Sequence, residues 1–153
     1  MSFYLSNNAS QWAKNITGKT CILKDNFDIY YLCLMIGISF GTTKEPEERE
    51  ITRDFSKTYK PLSSLLIGIL ISTDSSTTAL ETKHDVIDHL QNMIDTDSNS
   101  NLSPEGETLM NRYVQGGFEL LSEHIPEPRN EVVFLLEYKK VLERGFEEEK
   151  IWN

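Results

Sequence analysis

The sequence predicts an all-α fold, a compact bundle of about six helices around two apolar central helices, within a single domain spanning residues 1–153. Three observations predict it. The runs Ile29–Phe40 and Leu62–Ile71 are too uniformly apolar for surface elements. The segments that follow place apolar residues at helical spacing with acids on the opposite face. Clusters of Ser, Thr, Asn, Asp and Pro separate these segments. An apolar fraction of 39% over 153 residues supplies one core, and a second would leave each half marginal.

Taken in order, Ser6–Gly18 offers N-cap residues at its start and a glycine at its end, which predicts a short first helix. Thr20–Leu23 reads as a short extended piece. Asp25 or Asn26 then caps the run from Phe27, and Gly41 ends it. This is the first central helix, although its β-branched and aromatic content also fits a buried strand. Residues 42–50 are polar and contain Pro46, so they form an exposed loop leading into a short helix at about 47–58.

Pro61 suits the first turn of the second central helix, Leu62–Ile71, and Ser72–Thr78 supplies the turn after it. Leu80, Val86, Ile87, Leu90 and Met93/Ile94 then mark an amphipathic outer helix. Asp95–Asn101 has neither periodicity nor apolar content and forms a solvated loop. Ser103 as N-cap and Pro104 in the first turn start the next helix, with Leu109, Met110, Tyr113, Val114, Phe118 and Leu121 on one face. Pro126 and Pro128 break it. Asn130 caps a last helix, Glu131–Arg144, with Val133, Phe134, Leu136 and Val141 inward and a charged tail at 145–153.

The net charge of −9 is unevenly placed, because residues 1–60 carry eight Lys/Arg against seven Asp/Glu and residues 61–153 carry seven against seventeen. A field of that sign repels phosphate backbones and anionic lipid, which argues against broad nucleic-acid or membrane-surface binding. Neither apolar run reaches the ~20 residues of a membrane-spanning helix. Cys21 and Cys33 imply no disulfide framework, and no leader pattern opens the sequence, so a cytoplasmic location is expected.

Candidate chemistry is sparse. His84, Asp85, Asp88 and His89 crowd one stretch, which suggests a metal or acid–base site. On a helix, however, the two imidazoles are five residues apart and point away from each other, so surface ion pairing is the plainer reading. Asp95–Asn101 alternates oxygen-bearing side chains as a calcium loop does, but lacks the loop's glycine and places Gly106 where its final acid belongs. No nucleophile has a base beside it in sequence, and no phosphate-cradling loop is present. No catalytic residue, metal ligand or cofactor is therefore assigned.

Two surfaces remain. Arg49, Arg53, Lys57 and Lys60, spaced by four, four and three, form one basic stripe if residues 47–58 are helical, with Tyr59 beside it. Such a stripe receives an acidic partner or a phosphate backbone, whereas ordinary pairing with nearby acids would make it a solvated face. Gly116 and Gly117 lie inside a helical pattern, where they cost roughly 1 kcal/mol each relative to alanine. Close approach by another helix or another chain would compensate.

The stretches Phe27–Gly37, Leu102–Gly106 and Asn111–Leu121, with the glycine pair at 116–117, resemble the small helical accessory subunits of prokaryotic anti-phage and DNA-phosphorothioation gene clusters. The resemblance covers about a quarter of the chain and implies a non-catalytic partner for a larger ATPase or nuclease. The expected function is thus an interaction or adaptor subunit that docks on a larger protein through an apolar or Gly116–Gly117 surface, using Arg49–Lys60 as an electrostatic contact. Two alternatives are a nucleic-acid-contacting subunit using that stripe and a metal-dependent enzyme using His84–His89. Homo-oligomerisation is compatible with all three.

Overall fold

Asp25 sets the start of the most buried helix. Its carboxylate accepts the amide hydrogens of Phe27 and Asp28, while Asp28 accepts those of Lys24 and Asp25, a reciprocal capping box. The helix continues to Phe40 and stops where Gly41 turns left-handed at φ 61°, a conformation that favours glycine.

The computed structural model describes residues 2–77 and 81–152. In chain order, β1 (Phe3–Tyr4) precedes α1 (Asn7–Ile16) and the capped helix α2 (Asn26–Phe40). β2 (Glu50–Thr52) and a 3-10 turn (Lys60–Leu62) lead to α3 (Ser63–Thr77). α4 (Lys83–Met93), α5 (Pro104–His124) and α6 (Glu131–Trp152) complete the chain. Among the described residues, six helices and one two-stranded antiparallel sheet make a mostly helical bundle, as the patterning predicts. Ser6, Thr82, Ser103 and Asn130 each accept an amide hydrogen at the start of their helix. Among the described residues no helix is long and apolar enough to cross a membrane.

The centre of the molecule is α2 against α5. A Cβ added to Gly37 would lie 2.0 Å from the Tyr113 carbonyl oxygen, one on Gly117 would lie 1.9 Å from that of Cys33, and one on Gly116 would lie 2.3 Å from that of Thr42. The backbones therefore touch, and the glycines are what permit it. Around this seam sit two aromatic groups. Phe3 meets Phe27, Tyr30 and Phe55, and Trp12 meets Phe118 and Phe134.

Several expectations are corrected. α3 is not the second central helix: among its residues of described burial only Leu66, Ile67, Leu70 and Ile71 are buried, whereas Leu62, just before it, and Leu65 are 44% and 60% exposed. Close backbone approach gives that place to the less apolar but glycine-bearing α5. Residues 47–58 are not helical. Glu50–Thr52 pairs with β1, with Phe3 opposite Thr52 and Tyr4 opposite Glu50, and Phe55 enters the aromatic group. Thr20–Leu23 forms a turn closed by Gly18 and Leu23, not an extended piece. Residues 72–77 prolong α3 where a turn is expected. Leu80, Thr78 and Asn153 lie outside the described residues.

α6 also departs from the pattern. It runs on through the expected tail to Trp152. It faces inward through Phe134, Tyr138, Val141 and Gly145, leaving Val133 and Leu136 exposed, because the Tyr138 hydroxyl reaches the Leu32 carbonyl oxygen at 2.8 Å.

Candidate interaction surface

From Pro61 to Thr73 the chain has no charged residue. α3 nevertheless buries only one side, so its other side presents Ser64, Leu65, Gly68 and Ser72 to solvent, next to the exposed Leu62 of the 3-10 turn before it. Nothing lies within 4 Å of where a Gly68 Cβ would stand. Beside it, α4 has no fully buried residue, and Val86, Ile87 and Leu90 are 41%, 40% and 36% exposed. An open groove of about 570 Å³ runs between the two helices, walled by Ile67, Gly68, Ile71, Leu90 and Ile94.

α4 is held by few contacts. His89 Nε2 stands 3.1 Å from Asp74 Oδ2 on α3, and at the other end Ser103 donates its hydroxyl to the Asn92 carbonyl and its amide to that of Met93. Asp74 also faces Tyr113, whose phenol is pushed above its ordinary range by burial first and by that carboxylate second. His84 meets Asp88 instead, at 3.4 Å on the exposed side. The two imidazoles thus diverge to separate carboxylates, and Asp85 is spent on the Thr82 cap. Among the described residues no group of three or more His, Cys, Asp or Glu comes together to hold a metal ion.

The expected basic stripe does not assemble. Arg49 donates to the buried Ser10 hydroxyl, Arg53 pairs with Glu50 at 3.1 Å and Lys60 with Asp54 at 2.8 Å. Lys57 alone among these cations has no partner among the described residues, and it stands on a non-helical turn. Tyr59 turns inward, donating to Asp28 Oδ1 at 2.5 Å and packing on Phe27 and Tyr31. Its phenol is pushed up by burial first and by the Asp28 hydrogen bond second. Gly116 and Gly117 are buried in the helix seam, so their close approach is to this chain's own backbone, not to a partner.

Two buried polar residues on α5 escape a reading based on apolar periodicity. Asn111 Oδ1 accepts from the Tyr4 amide at 2.9 Å and the Tyr30 hydroxyl at 2.8 Å, and its Nδ2 donates to the Ser2 carbonyl oxygen at 2.8 Å. One amide side chain therefore ties β1, α2 and α5 together. Glu107, a turn earlier, accepts from the Ser100 hydroxyl at 2.9 Å on one oxygen and has no partner on the other. Burial raises its carboxyl above the usual range. Their sequence signal is position: 107 and 111 fall on the same face as Met110, Val114 and Phe118.

No family model matches this chain, and no curated protein or solved structure gives a significant match.

Proposed function

We propose that the chain is a non-catalytic interaction subunit that docks on a larger protein through the α3–α4 surface. The observation that carries the reading is the charge-free stretch Pro61–Thr73, exposed along Leu62, Leu65 and Gly68 and continued by Val86, Ile87 and Leu90 across an apolar groove. Interface centres are depleted of charge and enriched in apolar area, and side chains left this open gain from a cover. Full burial of a Leu, Ile or Val contributes about 1.5–3 kcal/mol, so the open fractions of these five side chains hold roughly 1 kcal/mol each. That total is comparable to the lower range of association costs, about 4–15 kcal/mol, so a partner must add contacts of its own.

The resemblance to accessory subunits of anti-phage gene clusters makes a larger ATPase or nuclease component the first partner to test. The experiment is light scattering after size exclusion, on the chain alone and with that component. Wild type should shift into the larger complex, whereas Leu65→Asp with Leu90→Lys should abolish the shift and leave far-ultraviolet circular dichroism unchanged. A complex that forms equally well with the double variant would refute the assignment of this surface.

A further inference from the structure

α3 carries both halves of a self-complementary contact. Leu65 is 60% exposed, and nearly one turn on, nothing lies within 4 Å of where a Gly68 Cβ would stand. A projecting side chain and an empty space thus sit three residues apart on one exposed face. A two-fold axis passing between them sets Leu65 of each copy of the chain over Gly68 of the other, and isologous pairs are built from such self-matching patches. Pro61 and Ser72 extend the row, so the exposed positions 61, 65, 68 and 72 follow the four-three-four spacing of a helix-pairing seam. The groove beside Gly68 supplies Ile67, Ile71, Leu90 and Ile94 as apolar walls for the incoming leucine.

Charge decides where two copies approach and in which direction. Each carries −9, so their bodies repel, and Pro61–Thr73 adds no charge to that repulsion. The two ends of α3 are unlike: Lys57 and Lys60 precede its first turn, Asp74 lies in its last, and the helix dipole runs in the same sense. Antiparallel pairing about the two-fold axis brings unlike ends together, whereas parallel pairing brings like ends together. The helix has 15 residues, about 22 Å, so one exposed side covers roughly 200–400 Å² per copy, below the about 800 Å² of a standard interface. The pair is therefore weak and reversible, which leaves the face open to a stronger partner.

We propose that α3 of a second copy covers this face, antiparallel and two-fold related, with each Leu65 seated against the other copy's Gly68. The inference rests on the reading of the α3–α4 surface as an interface and names what occupies it when the larger protein is absent.

The test is sedimentation equilibrium on the chain alone, from about 5 µM to 1 mM, where monomer should pass into dimer as concentration rises. Leu65→Ala should weaken the dimer about tenfold or more, because each pair loses two leucines. Leu136→Ala removes a leucine of similar exposure, 57%, from α6 and should leave pairing within about twofold. Gly68→Gln fills the empty space and should stay monomeric with an unchanged circular dichroism spectrum. Direction is read by disulfide trapping in a Cys21→Ser background, where Cys33 is buried. Pro61→Cys chains mixed with Ser72→Cys chains should cross-link to each other, and neither to itself, since like positions lie about 16 Å apart along an antiparallel pair. The proposal is overturned by a monomer at 1 mM, by Leu136→Ala weakening the pair as much as Leu65→Ala, by Gly68→Gln pairing as well as wild type, or by either cysteine variant cross-linking to itself as fast as the mixture does. No larger protein is present in these measurements, so their failure leaves docking on one to be judged by its own light-scattering test, and failure of docking leaves the pairing to be judged by these.

Discussion

Replacing Gly117 by alanine tests whether the α2–α5 seam is the structural centre. The new Cβ would lie 1.9 Å from the Cys33 carbonyl oxygen and 2.8 Å from the Gly37 amide nitrogen. Comfortable carbon contacts are about 3.5–4.0 Å, and both neighbours are backbone, so only separation of the two helices relieves the clash. Overpacking of a core costs about 1–3 kcal/mol, and a backbone collision this deep belongs at or beyond the upper end. Alanine recovers about 1 kcal/mol of helix propensity, which leaves a net loss of about 2 kcal/mol or more. For a chain of this length that lowers Tm by about 4–8 °C. Gly68→Ala is the internal control, since its Cβ meets nothing within 4 Å and it should gain up to about 1 kcal/mol. Thermal unfolding followed by far-ultraviolet circular dichroism separates the two. If Gly117→Ala melts at or above the wild-type temperature, as Gly68→Ala should, the close approach at this seam is refuted.

Two further predictions concern the buried polar residues of α5. Asn111→Ala strands the Tyr4 amide, the Tyr30 hydroxyl and the Ser2 carbonyl, and at about 1–3 kcal/mol for each buried unsatisfied group it should cost about 3 kcal/mol or more in urea unfolding. A loss below about 1 kcal/mol would mean that water replaces the side chain. Glu107 has a carboxyl raised above 4.5 in the folded state, so the folded chain holds its proton more tightly than the unfolded one. Its contribution is therefore fully present below the unfolded value and is lost as pH rises through the folded one. Glu50, lowered chiefly by its Ser2 hydrogen bond, works in the opposite direction, which is why the measurement is a difference. The stability of wild type minus that of Glu107→Gln should fall as pH climbs from 4.5; a difference independent of pH would remove the assignment.

Helix starts were legible because a cap is a local hydrogen bond. Ser6, Asp25, Ser103 and Asn130 each satisfy amides within three residues, so a short window of sequence contains both partners. Gly41 is legible as a stop for the same reason. The glycine pair was legible as a close approach, but not as one made within the chain. Nothing in Gly116–Gly117 says whether the approaching backbone is a neighbour's or its own, and Gly37 and Cys33 answer that only when α2 and α5 are placed together.

The candidate surface was legible in composition and illegible in position. Pro61–Ile71 is apolar enough to suggest burial on all sides, and whether a helix is buried depends on how many neighbours reach it, a global property. The basic stripe failed for a related reason: Ser2 and Glu50 pair across 48 residues, and that long-range pairing turns the segment from helix to strand. By itself, then, the sequence determined the fold class, most helix starts and the absence of charge from Pro61 to Thr73, all set by local bonding and composition. Tertiary structure alone decided which helix is central, that the four cations disperse, and that Leu65 and Leu90 face water, because each depends on contacts between residues far apart in the chain.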